Sequence, residues 1–181
     1  MAEELWQGYK LNGEPDMAIT KDEARAGALH GAAHVWVWRR HNNRVEILVQ
    51  QRAKDKPTWP GFFDISAAGH IDAGEAPIDA AVRETREEIN LNISATDLRL
   101  LFVRHSDDDA GNGMRENEFM WVYLYELTES DQGLELADGE VEDIRWVTLD
   151  ILTKLSHDEI PDEKAVPHIY FPDLLAELNH L

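Results

Sequence analysis

The stretch from Gly69 to Leu91, GHIDAGEAPIDAAVRETREEINL, places Glu84, Glu87 and Glu88 within five residues of one another. At about 100° per residue, their carboxylates fall within a sector of about 100° on one face of a helix. Like charges this close repel one another, so they need either a cation or full exposure to solvent. Ligation by oxygen alone suits Mg²⁺ or Mn²⁺. The spacing therefore indicates either a divalent-metal site or a solvated acidic face.

Two residues ahead of this segment favour the metal site. Gly69 and Glu75 precede the acidic residues at fixed offsets, and a tight DAGEAP turn leads into the predicted helix. A main-chain carbonyl could therefore join the carboxylates around a hard divalent cation. We predict a helix from Pro77 to Ile89, since proline suits a first helical turn. The side chains that recur at helical spacing and predict its core-facing stripe are Ile78, Ala81, Val82, Thr85 and Ile89.

The stretch resembles the signature box of the Nudix hydrolase family. That box reads Gly, five residues, Glu, seven residues, Arg-Glu, an apolar residue, any residue, Glu-Glu, any residue, Gly and an apolar residue. The matching positions are Gly69, Glu75, Arg83, Glu84, Glu87, Glu88 and Leu91. Two positions depart from the pattern, with Thr85 in place of an aliphatic residue and Asn90 in place of glycine. Thr85 keeps a methyl group for the core, and asparagine is the next-best residue at a left-handed helix end.

The resemblance extends beyond the box to the branch related to the type 1 isopentenyl-diphosphate isomerases. The matching segments are ALHGAAHVWVW, VQQR, WPGFFDISAAGHIDAGE, RENEF and EVEDIRWVTLD, so the similarity covers roughly residues 29–151. The implied fold is of the α/β (α+β) class, a Nudix-type α/β/α sandwich with a central mixed sheet. We predict a single domain over residues 1–181, with an N-terminal extension at 1–29, the box at 69–91 and a C-terminal helix at 165–181.

The resemblance implies hydrolysis of a nucleoside diphosphate linked to a further group X, or of another organic diphosphate, with Mg²⁺ or Mn²⁺ as cofactor. A diphosphate repels hydroxide, so a divalent ion is needed to neutralise phosphate oxygens and to acidify a bound water. The metal ligands implied by the resemblance are the Gly69 carbonyl, Glu84, Glu87 and Glu88. Glu87 and Glu88 are also the expected catalytic carboxylates. Arg83 is expected to orient Glu75 or Glu84 through charge-assisted hydrogen bonds and so to assist catalysis.

The box does not assign the general base, because in this family the base can also come from a loop. The carboxylates considered for that role are Glu116, Glu118, Glu140 and Glu142. Alternation in RENEF puts Glu116 and Glu118 on one face of a strand, which we expect to face the diphosphate site. Of the four, Glu118 is the preferred catalytic residue for positioning water or metal. We predict that Arg52, Trp59 and Phe63 bind substrate. The aromatic rings that could stack on a base or line a prenyl pocket are Trp59, Phe62, Phe63 and Trp121, although an aromatic residue in a strand more often packs in the core.

A second cluster matches positions at which the isomerases hold an additional metal. It consists of His30, His70, Glu116 and Glu118, and two imidazoles with two carboxylates suit Zn²⁺ or Mn²⁺. The isomerases contribute a further upstream histidine, whereas residues 1–29 contain none. The resemblance therefore implies an incomplete second metal site.

Two functions other than hydrolysis stay open. Isomerisation in the type 1 enzymes relies on a cysteine just before the Gly-His pair, and here that position is Ala68 in a chain without cysteine. A module that binds a nucleotide or diphosphate without cleaving it would be expected to lose box carboxylates, and none is lost. Hydrolysis is therefore preferred. The substrate candidates are ADP-ribose-like nucleoside diphosphates, dinucleoside polyphosphates and isoprenoid diphosphates.

Composition limits the partners. The chain has 181 residues, 43% of them hydrophobic, which suits one domain with its own core. Acidic residues outnumber basic ones 36 to 17, and the net charge of −19 repels nucleic acid, so we expect no nucleic-acid partner. The partner that the resemblance implies is a small-molecule diphosphate. Without an apolar run of about 18 residues or a charged-then-apolar leader, we expect no membrane association and a cytoplasmic location. A homodimer stays open.

The elements that must position these residues follow from local patterns. A hairpin is predicted from AAHVWVWRR and RVEILVQQR, because the asparagines of the intervening HNN tolerate left-handed backbone. Further strands are predicted at DISAAGHI, LRLLFVRHS, EFMWVYLYEL and VEDIRWVTL, and helices at TKDEARAGAL and FPDLLAELNHL. A turn is predicted at LNGEPD, and surface loops at SDDDAGNGMREN and HDEIPDEKAVPH.

Overall fold

The computed structural model describes residues 4–56, 58–111, 114–128, 134 and 141–181. The strands found in this part of the chain are β1 Leu5–Tyr9, β2 Pro15–Thr20, β3 His30–His41, β4 Arg44–Arg52, β5 Phe63–Asp64, β6 Ala67–His70, β7 Arg99–Gly111, β8 Met114–Glu126 and β9 Val141–Thr148. The helices are α1 Lys21–Arg25, α2 Pro77–Ile89, α3 Leu149–Ser156 and α4 Phe171–Leu178. Of the helices described, none is both long and apolar enough to span a membrane.

Strand β3 is the hub of a mixed sheet. It pairs in parallel with β8 and antiparallel with β4 and β6, while β9 pairs with β4, and β7 with β8. Its odd-numbered residues Val35 and Val37 pack in the core cluster that includes α2, and its even-numbered residues Trp36 and Trp38 pack in the cluster that includes α3 and α4. Because successive side chains point to opposite faces of a strand, the sheet lies between two helical layers. This arrangement confirms the predicted α+β sandwich.

Several local predictions are confirmed. The β3–β4 hairpin turns at Asn42 and Asn43, whose φ angles of 50° and 59° are left-handed as expected. The predicted turn at LNGEPD separates β1 from β2, and the segment DISAAGHI forms two short strands, β5 and β6, where one was predicted. Helix α3 follows β9 directly and has no counterpart among the predictions.

The predicted surface loop SDDDAGNGMREN is wrong for most of its length. Strands β7 and β8 continue into it from both sides, with Ser106 opposite Glu118 and Asp108 opposite Glu116. These four side chains line a cavity. Their polarity therefore reflects a wet face of the sheet and not a loop.

The segment FPDLLAELNHL forms α4, which begins at Phe171 as its pattern predicted, so the bound of 165 given for the C-terminal helix is wrong. The preceding segment is held extended beside β5. The Phe63 amide donates to the Lys164 carbonyl at 2.7 Å, and the Val166 amide donates to the Phe63 carbonyl at 2.8 Å. Backbone groups bound across to a neighbouring strand cannot form helical hydrogen bonds, so the helix starts later.

Candidate functional site

Helix α2 carries the acidic residues and has the predicted bounds, Pro77–Ile89. It ends at Asn90, which adopts the left-handed conformation with φ 52° and ψ 27°. The Leu91 amide then reaches back to the Thr85 carbonyl at 3.3 Å. Thr85 is fully buried, and its hydroxyl donates to the Ala81 carbonyl at 2.7 Å. Both departures from the family pattern therefore fit the helix that carries the glutamates.

Strand β6 brings Gly69 directly against the first glutamate of the helix. A Cβ added at Gly69 would overlap the carboxylate of Glu84. Glycine is needed at this position because of that close approach. The contact places the Gly69 main chain and the Glu84 carboxylate side by side, as a shared ligand set requires.

Glu88 lies under the same strand and is buried. Its Oε2 accepts hydrogen bonds from the Ala68 amide at 2.9 Å and from Gln50 Nε2 at 3.2 Å. The oxygen of the Gln50 side-chain amide, Oε1, is buried and has no hydrogen-bond partner among the described residues. A buried acceptor left in this state fits a site completed by a bound water or hydrated ion.

Arg83 connects the carboxylates of the box. It donates to both oxygens of Glu75 at 3.0 and 2.8 Å, to the His70 carbonyl at 2.9 Å, and to Glu84 and Glu87 at 2.5 and 3.4 Å. Burial raises the pKa of Glu75, but the hydrogen bonds from Arg83 and from the Asp72 amide outweigh it and hold that pKa below its ordinary value. Arg83 thus contacts both glutamates that it was expected to orient.

A cavity of about 490 Å³ adjoins β6. Its wall includes Ala68 and Gly69 from β6, and Arg52 and Trp59, two of the predicted substrate-binding residues. Trp59 has a φ of 49°, an uncommon backbone conformation for a bulky residue, which marks a locally constrained loop at the cavity.

Two further candidates, Phe63 and Glu142, lie apart from this cavity. Phe63 is buried in the core, with the Arg145 guanidinium 4.3 Å from the centre of its ring, and it does not line the cavity. Glu142 pairs with Lys54 at 2.7 Å on the surface. Glu140 lies outside the described residues.

Strand alternation places Glu116 and Glu118 on one face of β8, and both line the cavity as predicted. Burial raises the pKa of Glu118 to about 8, and the nearby carboxylates of Glu116 and Asp64 add to the effect. Burial also raises the pKa of Glu116, although the positive charges of Arg52 and His168 oppose it.

The sheet brings three of the four residues of the second cluster together. Ligand atoms of His30, His70 and Glu118 lie within 4.8 Å of one another, and Glu116 is not part of that group. His30 pairs with Glu118 in the parallel β3–β8 register. Trp6 covers the cluster, since its ring stacks on His70 with centroids 3.6 Å apart. Burial lowers the pKa of His70 to about 3.

Sequence reasoning missed a buried polar network in the cavity wall. Asp64 accepts hydrogen bonds from Arg52 at 2.8 Å and from His168 at 2.7 Å. Close by, His34 Nδ1 bonds to the Tyr170 hydroxyl at 2.8 Å, and burial lowers the pKa of His34 to about 3. Asp64 and His168 are 104 residues apart, so no local pattern could have linked them.

Comparison with known proteins places these features in a family context. The model for the NUDIX domain matches residues 28–169. The uncharacterized Nudix hydrolase lin0387 of Listeria innocua is 33% identical over 137 residues, covering 76% of this chain and 74% of its own length. The isopentenyl-diphosphate Delta-isomerase of Escherichia coli is 34% identical over 121 residues, covering 67% and 63%. The crystal structure of DR0079 from Deinococcus radiodurans has a TM-score of 0.70 at 19% identity, covering 97% of this chain and 99% of its own, and is similar in fold.

Proposed function

Because the chain belongs to the Nudix hydrolase family, we propose that it hydrolyses the diphosphate linkage of a small organic diphosphate with the help of Mg²⁺ or Mn²⁺. The observation that carries this proposal is the assembled box beside a cavity. Glu84 lies against Gly69, Glu88 is bound under β6, and Arg83 joins Glu75 to both Glu84 and the exposed Glu87. Arg83 and Glu87 lie one turn apart on the helix, which makes their side chains neighbours.

The residues present fit a divalent ion. Three carboxylates and a main-chain carbonyl form an oxygen-only donor set, which Mg²⁺ and Mn²⁺ prefer. The absence of a side chain at Gly69 leaves room for the Glu84 carboxylate, and the unpartnered Gln50 Oε1 can accept a hydrogen bond from a water of the ion's shell. The ligands we assign are the Gly69 carbonyl, Glu84, Glu87 and Glu88.

A bound divalent ion would neutralise phosphate oxygens and lower the pKa of the attacking water. Arg83 orients Glu75 and Glu84, because its guanidinium donates to both, and it helps to hold the pKa of Glu75 below its ordinary value. Glu118 lines the same cavity as Gly69, and we assign it the role of orienting the attacking water and accepting its proton. Arg52 and Trp59 contact the substrate from the cavity wall, where the indole ring suits a planar or apolar group X.

The test is a panel of diphosphates incubated with the purified protein and Mg²⁺ or Mn²⁺, with release of phosphate or monophosphate as the readout. The panel contains an ADP-ribose-like nucleoside diphosphate, a dinucleoside polyphosphate and an isoprenoid diphosphate. We expect metal-dependent release from at least one class. Glu87→Gln removes a charge and keeps the shape, so turnover should fall by about two orders of magnitude or more.

Glu177→Gln is the matched control, since Glu177 is also an exposed helical glutamate paired with an arginine, Arg99. It should keep the turnover of the original protein. Release from none of the three substrate classes would contradict the hydrolase proposal, and undiminished turnover in both Glu87→Gln and Glu88→Gln would contradict the assignment of these glutamates as metal ligands.

The second candidate function is isomerisation of isopentenyl diphosphate, which the grouped His30, His70 and Glu118 favour. Ala68 lines the cavity at the position of the isomerases' cysteine and offers no acid or base. We therefore expect no dimethylallyl diphosphate when isopentenyl diphosphate is included in the panel. If that product forms well above background, isomerisation replaces hydrolysis as the proposed function.

The same three residues form our alternative proposal, a second metal site for Zn²⁺ or Mn²⁺, in which Glu118 binds the ion instead of accepting a proton. Protein purified without chelator should contain more metal than its His30→Ala, His70→Ala double variant, because two of three ligands are removed. A double variant of exposed histidines, His105→Ala with His157→Ala, controls for adventitious binding. Equal metal content in all three proteins would eliminate the histidine site and leave the glutamate box.

A further inference from the structure

Asp64 on β5 is the centre of a charged network of which the proposed chemistry uses only Arg52. It is 7% exposed. Its Oδ1 accepts hydrogen bonds from His168 Nε2 at 2.7 Å and from the Ile65 amide at 2.8 Å, and its Oδ2 accepts one from Arg52 Nη1 at 2.8 Å. A buried carboxylate with two cationic or polar partners holds both partners in fixed positions.

Each partner is also fixed from a second side. Arg52 Nε and Nη2 donate to the carbonyl and hydroxyl of Thr58, both at 3.2 Å. The His168 ring stacks on Tyr170, with centroids 5.1 Å apart and planes 13° apart. Two groups that are constrained in this way lose little conformational entropy when they bind a ligand.

Both partners line the cavity beside the box. Because Nε2 of His168 donates to Asp64, Nδ1 is the ring nitrogen left for another contact, and it makes no hydrogen bond to the described part of the chain. The three hydrogen bonds of Arg52 to Asp64 and Thr58 use three of the five N–H groups of a guanidinium. The cavity wall therefore presents a fixed imidazole and a fixed guanidinium.

Arg52 and His168 lie in a cavity wall that also carries acidic side chains. Asp108, Glu116 and Glu118 line the same cavity in a chain with a net charge of −19. Arg52, His168 and Glu116 line this one cavity, where burial raises the pKa of Glu116 and the two basic side chains partly oppose that rise. An anionic ligand gains most from the fixed cationic side of such a cavity.

We infer that Arg52 and His168, held in place by Asp64, form a phosphate-binding subsite on the cavity wall, separate from the glutamates of the box. The ligand is a phosphate group of the substrate, and in this respect the inference rests on the proposed diphosphate chemistry. Arg52 binds two phosphate oxygens with its remaining N–H groups, and protonated His168 donates from Nδ1. Asp64 is a positioning residue that does not touch the substrate.

Binding can be measured apart from hydrolysis. The probe is methylenediphosphonate, a diphosphate analogue that cannot be hydrolysed, titrated calorimetrically into metal-stripped protein in a buffer free of phosphate and chelator. We expect His168→Gln to raise the Kd of the probe about tenfold, since a hydrogen bond to a charged group is lost. His157→Gln, which alters an exposed histidine of the same region, should leave the Kd unchanged.

The positioning role of Asp64 is tested by a double-mutant cycle. Asp64→Asn should also weaken binding, and the double variant with His168→Gln should bind no more than about twofold weaker than the weaker single variant, because both act through the same imidazole. If the fold-increases in Kd of the two single variants multiply in the double variant, the positioning role of Asp64 is overturned. His168→Gln does not depend on this result, so a folding defect in Asp64→Asn, seen as a lowered Tm, leaves the subsite testable.

The outcome is distinct from that of the hydrolase test. If no substrate is cleaved but the probe binds and His168→Gln weakens it, the subsite stands and the hydrolase proposal fails. If a substrate is cleaved, His168→Gln should raise KM about tenfold and change kcat less than about threefold. A wild-type Kd and KM in both His168→Gln and Arg52→Gln would overturn the subsite.

Discussion

At the residue scale, the site depends on the lack of a side chain at Gly69. Gly69 has no Cβ, and the carboxylate of Glu84 occupies the space that a Cβ would need. The first glycine of the family pattern therefore has a steric reason here that is independent of turn geometry. A single methyl group would separate two of the proposed metal ligands.

We expect Gly69→Ala to reduce metal-dependent hydrolysis about a hundredfold, because displacement of a ligand by about 1 Å is enough for such a loss. Steady-state turnover with Mg²⁺ is the measurement. Gly13→Ala is the control. Gly13 lies in the β1–β2 turn, where an added Cβ meets no atom within 4 Å but the φ of 83° makes alanine strained, so this variant reports what a loss of stability alone does to turnover. Full activity in Gly69→Ala would show that the position of Glu84 does not matter.

At the element scale, helix α2 is specified by its own sequence at both ends. Pro77 opens the first turn, and Asn90 closes the last with a left-handed backbone. This C-terminal turn carries Glu87 and Glu88, so its geometry bears on the site directly. Asparagine in place of the family's glycine is tolerated because its short polar side chain accepts that conformation.

The two replacements of Asn90 should therefore differ. Asn90→Gly keeps the left-handed conformation without strain and should leave the free energy of unfolding unchanged or slightly raised. Asn90→Ala should lower it by about 1 kcal/mol, because a Cβ clashes with the following carbonyl in that conformation. Urea denaturation of the two variants provides the comparison. Equal midpoints would indicate that the helix end rearranges.

At the scale of the whole molecule, the buried histidines make stability depend on pH. The pKa of His34 is lowered to about 3 by burial and by the charge of His168, against an ordinary value of about 6.5 in the unfolded chain. Between these values the unfolded state binds more protons than the folded state. The free energy of unfolding contributed by His34 therefore falls as the pH drops from about 6.5 towards 3. The raised pKa of Glu118 acts in the opposite direction over the range from about 4.5 to 8.

Comparison with a variant isolates the effect of His34, because Glu118 is present in both proteins. His34→Asn keeps a polar atom near Nδ1 for Tyr170 and removes the titration. Its unfolding free energy should fall less between about pH 6.5 and about pH 5, with a difference in slope of up to about 1.4 kcal/mol per pH unit. Urea denaturation at several pH values, in metal-free buffer, gives both slopes. Parallel slopes would contradict the prediction, and His157→Asn, at an exposed position, should remain parallel to the original protein.

The sequence alone determined the features that depend on neighbouring residues. The bounds of α2, its left-handed end at Asn90 and the hairpin turn at Asn42 and Asn43 follow from helical periodicity and from residues that tolerate positive φ. The spacing of the box predicted which carboxylates share a helix face, and strand alternation predicted that Glu116 and Glu118 face the same way.

Only the tertiary structure decided which distant residues meet in the cavity. Trp6 stacks on His70, Asp64 holds His168, and Phe63 packs in the core instead of the cavity wall. The pairing of strands and the packing of the two layers bring such residues together, and local conformational preference carries no record of those contacts. For the same reason the polar residues of β7 and β8 were predicted to form a loop. A strand that faces a wet cavity has polar residues like those of a loop, and only the fold decides what lies opposite it.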